Sequence, residues 1–133
     1  MTVADSQQRV VSVGQCAADH YVLSRFIKQH FGAAVVEVEQ ADQVSAAVRA
    51  GACALVLVNR RLDADGSDGM EIIRSLKGNP QTAAIPVMLV SNYDDAQQQA
   101  VAAGAEPGFG KSEYGQATTA ERLARFLGAS RTA

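Results

Sequence analysis

The chain has 133 residues, of which 47% are hydrophobic and 20% charged; this suits one domain with a real core and is too short for two. Twelve Lys and Arg against fourteen Asp and Glu leave a formal charge of -2, which argues against nucleic acid as the main ligand. The first eight residues lack the basic and apolar stretches of a signal peptide, and no apolar run approaches the ~20 residues that span a bilayer. A cytoplasmic domain without membrane contact is expected. Cys16 and Cys53 cannot build a disulfide framework, and their separation fits no short metal or redox motif.

In chain order, residues 1–8 read as a loose tail. Val10–Val13 reads as a strand, β1, because its apolar run is continuous and β-branched, as in strands buried on both faces of a parallel sheet. Residues 19–31 form a helix, α1, with Val22, Leu23, Phe26 and Ile27 on one side and Gly32 as its C′ residue. Ala34–Glu39 alternates towards its end and reads as an edge strand, β2. Asp42 is placed to cap α2, which carries Val44, Ala47 and Val48 and closes at Gly51. Ala54–Val58 is β3. Asp68 can cap α3, with Met70, Ile73 and Leu76 inward and Gly78 beyond it. Ile85–Val90 is β4, and Asp94 or Asp95 opens an Ala-rich α4 that ends at Gly104. A weak β5 falls around Gly108–Gly110. In α5, Ala120, Leu123, Ala124 and Leu127 keep the i, i+3, i+4, i+7 spacing and Gly128 ends the helix. Strand and helix thus alternate five times, which implies a parallel sheet with helices on both faces. The domain is expected over residues 9–128, followed by a loose tail at 129–133.

In such a sheet, ligands sit beyond the carboxyl ends of the central strands. The positions there are Gly14-Gln15-Cys16, Asn59, Ser91-Asn92 and Lys111. The β3 segment 55–62, then Asp68-Gly69-Met70-Glu71, Val90-Ser91, and Gly104-Ala105 with Lys111 resemble, in order and spacing, the receiver domain of bacterial response regulators. The resemblance covers residues 9–128. It implies an α/β, doubly wound, five-stranded parallel sheet in the order 2-1-3-4-5, the flavodoxin-like receiver fold.

The resemblance also implies a chemistry: an Asp ending β3 takes a phosphoryl group, and an acidic pair ending β1 helps it hold Mg²⁺. A Ser or Thr and a Lys bind the phosphoryl oxygens. Carried over position by position, half of that set is lost. The acceptor position is Asn59, whose amide cannot form an acyl phosphate by this route. The acidic pair is Gly14 and Gln15, so no carboxylate remains there for a metal. Ser91 and Lys111 match the hydroxyl and the cation. Ser112 replaces the Pro that follows the Lys, leaving open the turn and the direction of Lys111. The switch aromatic falls at Gly108, and Phe109 turns to the other face.

The function expected is a stand-alone pseudo-receiver in signal transduction. It would be no enzyme, hold no metal or cofactor and carry no catalytic residue, and it would act through a protein partner of a two-component or phosphorelay pathway. That partner is a histidine kinase, an output protein or a second copy, with a homodimer through α4-β5-α5 as one form. Tyr93, Tyr114, Arg122 and Phe126 are the partner-surface candidates, Phe126 because it lies off the inward stripe of α5.

Two alternatives stand. One is an anion or small-metabolite site at the Ser91/Lys111 corner, against which Lys111 simply pairs with another acid or reaches water. The other is a phosphorelay receiver whose acceptor has moved to Asp63 or Asp65, in a loop longer than the family pattern. The same loop falls short of an EF-hand, which wants Gly sixth and Glu twelfth where this chain has Asp68 and Arg74. It reads as a solvated turn. Asn59 is expected to cap that loop, Cys16 and Cys53 to pack, and His20 and His30 to face solvent. A flavin is not expected, since the 14–18 segment offers one Gly and no hydroxyl.

Overall fold

In a computed structural model, which describes residues 8–128, side chains alternate sides along each central strand. Val11, Val56, Val58, Val87 and Leu89 face one helical layer, and Val10, Leu55, Leu57, Met88 and Val90 face the other. All ten are essentially buried. Such two-sided burial produces the continuous apolar runs, and each such side chain contributes roughly 1.5–3 kcal/mol.

The strands are β1 (Arg9–Val13), β2 (Ala34–Val38), β3 (Cys53–Asn59), β4 (Val87–Val90) and β5 (Glu106–Phe109). They form one parallel sheet in the order β2-β1-β3-β4-β5. Helices α1 (Ala17–Phe31) and α5 (Ala117–Leu127) cover one face. The other carries α2 (Val44–Arg49), α3 (Gly69–Gly78) and α4 (Asp94–Ala102). Among the described residues, no helix is long and apolar enough to cross a membrane. The expected tails at 1–7 and 129–133 lie outside the described residues.

Several boundaries differ from the sequence expectation. Asp42 caps no helix; it sits in a 3-10 turn, Ala41–Gln43, that leads into α2. Cys16 is the N-cap of α1, so the helix starts earlier than Asp19. Asp68 does cap α3, accepting from the Met70 N–H, but Gly78 is the helix's last residue rather than a stop beyond it.

Phe126 is half-buried against the α1/α5 core, with the Arg125 guanidinium 5.3 Å above its ring. It stands at i+3 from the buried Leu123, a spacing that shares the inward face. Tyr114 is likewise half-buried, edge-on to the fully buried Phe109. Only Tyr93 of the four surface candidates is strongly exposed, at 71%. The histidines are not simply solvent-facing: both are half-buried, and His30 stacks on Phe26 at 4.5 Å.

At the β5 edge, Pro107 and Gly108 sit at an irregularity in the pairing with β4. Side chains close the gap: Gln97 accepts from the Gly108 N–H at 3.0 Å, and Arg122 donates to its carbonyl. A Cβ on Gly108 would lie 2.2 Å from the Leu89 carbonyl oxygen. Backbone contact excludes a bulky side chain at that position.

Candidate functional site

Asn59 ends β3 with its side chain almost fully buried. Its Nδ2 donates to the carbonyls of Gly14 at 3.1 Å and Arg61 at 2.9 Å, and its Oδ1 accepts from the Arg60 N–H at 3.1 Å. One amide therefore ties β1 to the β3–α3 loop, using both donor and acceptor functions. An Asp cannot reproduce this pattern.

Gly14 is the second half of the seam. Its N–H donates to Val38, and its carbonyl also accepts from the Asp63 N–H at 2.9 Å. It adopts φ +76°, and a Cβ there would lie 2.5 Å from Leu62 Cγ and 2.9 Å from Leu62 Cα. The long loop thus folds directly onto the end of β1, with Leu62 1% exposed and part of the core. The place where the resemblance puts an acidic side chain is occupied by leucine.

Gln15, the other acidic-pair position, is 4% exposed, and neither its Oε1 nor its Nε2 has a hydrogen-bond partner. A buried amide without partners costs about 1–3 kcal/mol relative to a satisfied one. Gln15→Met, which keeps the length and removes both polar atoms, should therefore stabilise the fold by about 1 kcal/mol. A urea unfolding midpoint checks this, and a lower midpoint would mean that the amide is used.

The acids of the 63–68 loop serve the loop. Asp65 Oδ1 accepts from the Ser67 N–H at 2.9 Å and from its hydroxyl, and these bonds hold the Asp65 carboxyl below the usual range. Asp68 Oδ1 caps α3 and pairs with Arg60 at 3.3 Å. Asp63 is exposed. Among the described residues, no three His, Cys, Asp or Glu side chains are grouped so as to hold a metal ion.

Lys111 lies in a 3-10 turn, Lys111–Glu113, which is held without proline. Asn92 Oδ1 accepts from the Ser112 N–H and hydroxyl, and Glu113 accepts from the Gly110 N–H at 2.7 Å. The described peptide bonds are all trans. The Lys111 ammonium pairs with Asp19 Oδ2 at 2.7 Å, so the expectation of another acid is the one realised.

Asp19 also accepts from the Cys16 thiol at 3.3 Å, while Cys16 Sγ caps the Asp19 N–H at 3.5 Å. Cys16, half-buried, thus serves as a cap, while Cys53, also half-buried, packs against the core and burial pushes its thiol pKa up. Burial acts to raise the Asp19 pKa, but the bonds from Lys111 and Cys16 outweigh it and leave the carboxyl below its ordinary value. The Tyr114 phenol is pushed up by burial and then by the charges of Asp19 and Cys16, and its OH has no partner.

A depressed folded pKa stabilises above the unfolded value of ~3.9 and is lost as pH falls through the folded value. Lys111→Met should cost up to about 1 kcal/mol at neutral pH, the pair being part-exposed. That difference should shrink below about pH 4, where the unfolded-state carboxyl is protonated. Urea midpoints across pH test both limbs.

Ser91 is nearly buried, and its Oγ accepts from the Tyr93 N–H at 3.2 Å at the entry to α4. Asn59, Ser91 and Lys111 do meet, in a cleft of about 260 Å³ that Arg60, Arg61, Val90, Asn92 and Tyr93 also line. Gly14 and Gln15 line a different, smaller hollow. A larger groove of about 640 Å³ runs between α4 and β5, reaching Arg122 of α5. Sequence reasoning missed Arg60, Arg61 and Asp19. The two arginines directly after the β3 end were a visible signal, whereas Asp19 is brought to Lys111 only by the fold.

No family model and no curated protein sequence matches the chain. Solved structures do. The receiver domain of Klebsiella pneumoniae RstA, BeF3-activated, matches with a TM-score of 0.74 at 22% identity, over 90% of this chain and 97% of that one. The receiver domain of the Pseudomonas aeruginosa sensor histidine kinase PA1611 matches at 0.73 and 16%, over 93% and 100%. Vibrio cholerae chemotaxis protein CheY4 matches at 0.74 and 15%, over 92% and 100%. The chain has the receiver fold. The receiver of PA1611 carries a magnesium ion coordinated in its active-site cleft. The corresponding strand ends of this chain present Gly14, Gln15 and Asn59, with Leu62 lying on Gly14.

Proposed function

We propose that this chain is an atypical receiver in signal transduction, acting by protein–protein contact without phosphoryl transfer to an aspartate. The seam at Asn59 carries the reading. An amide making three backbone bonds stands at the acceptor position, and Leu62 fills the space beside Gly14. Nucleophile and metal ligands are both missing, so the domain is no enzyme and has no Asp-dependent switch.

The partner is a histidine kinase, an output protein or a second copy of the chain in a cytoplasmic two-component pathway, and residues 9–128 are the unit that docks. The α4-β5-α5 face is the favoured surface, including for a homodimer. It holds the 640 Å³ groove, with Val101 at 44% and Tyr93 at 71% exposure beside it. Arg122 lines the groove and donates to the Gly108 carbonyl, while Tyr114 packs in the core edge-on to Phe109.

A photoreactive residue at Val101, used in cells, tests the reading. Cross-linking to a protein or a second copy, with the same yield whether or not the donor pathway is active, supports it. Cross-linking at Arg74 on α3 but not at Val101 overturns the assignment of the face. A yield that requires phosphodonor overturns phosphate independence.

A further inference from the structure

The ends of β1 and β2 enclose a hollow of about 160 Å³, with residues 63–64 of the long loop as its third wall. Three carboxylates line it, Glu37 and Glu39 from the end of β2 and Asp63 from the loop, and no cation does. Glu37 and Glu39 stand two residues apart, which puts both on one side of an extended chain. All three acids are exposed, and none has an ion pair or a side-chain hydrogen bond among the described residues. Asp19, Asp68, Glu71 and Glu106, by contrast, are each matched by a cation. Gln15 lines the same hollow at 4% exposure, with neither polar atom of its amide partnered. Unbalanced negative charge and an unused buried donor and acceptor thus occur in one place.

We propose that this hollow receives the guanidinium of an arginine side chain carried by a protein partner. Asn59 does not line it, and among the described residues no three acids are grouped so as to hold a metal ion. A guanidinium presents five N–H donors in a planar fork. It can bridge carboxylates that one small ion cannot reach together, and direct a further N–H at Gln15 Oε1. The volume of about 160 Å³ lies well below the ~300 Å³ at which pockets for whole small-molecule ligands begin. It suits the head of a side chain. The unpartnered amide, which costs stability in the free chain, then has a use in the complex. The hollow sits at the β2 edge of the sheet, the far side from β5, so it is a second contact and not part of the α4-β5-α5 face. The inference rests on the reading that the chain acts by protein contact.

Titration of the intact chain with N-acetylarginine amide, followed by NMR at the side-chain amide of Gln15, tests the site. A saturable shift is expected, weakened by added salt and reached at about fivefold higher concentration in Glu37→Gln/Glu39→Gln. The same affinity is expected in Glu121→Gln, an exposed acid on α5 outside the hollow. Gln15→Met, followed at the Ala64 backbone amide, should bind more weakly although the free chain is at least as stable. Unfolding midpoints show that each variant is folded. N-acetylcitrulline amide, of similar shape but neutral, should not bind. No saturable shift overturns the proposal, as does an equal response to the citrulline probe, an equal loss in Glu121→Gln, or tighter binding of Mg²⁺ at the same resonances. A photoreactive residue at the exposed Ala64 then tests the source in cells. Capture of a protein in a yield that falls in Glu37→Gln/Glu39→Gln is expected, and a yield indifferent to those acids overturns a partner's arginine as the occupant. The Val101 cross-link is read separately: its loss with the titration intact counts against the α4-β5-α5 face and not against the hollow.

Discussion

Asn59→Asp is expected to destabilise the fold by about 3 kcal/mol at neutral pH rather than to restore a phosphorylation site. The wild-type Nδ2 points at two carbonyl oxygens, those of Gly14 and Arg61, at 3.1 and 2.9 Å. A carboxylate oxygen in its place would face both with no hydrogen to offer, in a nearly buried position. The folded state would favour the protonated acid, which can still donate one bond, so the new group's folded pKa is raised. A folded state that binds more protons loses stability as pH rises. The penalty should therefore be smallest below the unfolded carboxyl pKa of ~3.9 and grow through the folded value. Urea unfolding at acid and neutral pH measures it; a variant as stable as the parent at neutral pH would contradict the seam.

Gly14→Asp is expected to cost more than about 3 kcal/mol, combining left-handed backbone strain with overpacking. The backbone stands at φ +76°, and the Cβ must enter within 2.5 Å of Leu62 Cγ and 2.9 Å of its Cα. Leu62 cannot move alone, because its N–H is bonded to Ser67 and its carbonyl to Gly66. Gly14→Ala should lose nearly as much, which separates sterics from charge. Either loss is a large fraction of a typical total of about 5–15 kcal/mol. Denaturation curves of the two single variants decide this, and a Gly14→Asp protein of parental stability would refute the Leu62 contact.

The framework was legible because its physical causes are local. Continuous apolar runs at 10–13, 54–58 and 85–90 reflect burial on both sheet faces, and Asp68 before an amphipathic stretch reflects helix capping. That positions 14, 15 and 59 carry Gly, Gln and Asn, where the receiver resemblance expects carboxylates, could be read directly. What fills the space beside them could not, since the closure by Leu62 depends on how the 60–69 loop folds. Phe126 lies off the Ala120, Leu123, Ala124 and Leu127 stripe and yet packs inward, because i+3 spacing from Leu123 also shares the buried face. Lys111 and Asp19 lie in segments distant in sequence, and only the packing of the β1–α1 turn beside the end of β5 joins them. Cys16 was expected to pack, and its role as a cap is seen only with the Asp19 N–H in place.

The proposal that Asn59 takes no phosphoryl group is tested most directly by intact mass. The wild-type chain is incubated with an acyl-phosphate donor and Mg²⁺, and its mass is compared before and after hydroxylamine. The seam of Asn59, Gly14 and Leu62 predicts an unchanged mass throughout. A phosphate adduct removed by hydroxylamine would contradict it, and mapping of that adduct to Asp63 or Asp65 would show that the acceptor had moved into the loop.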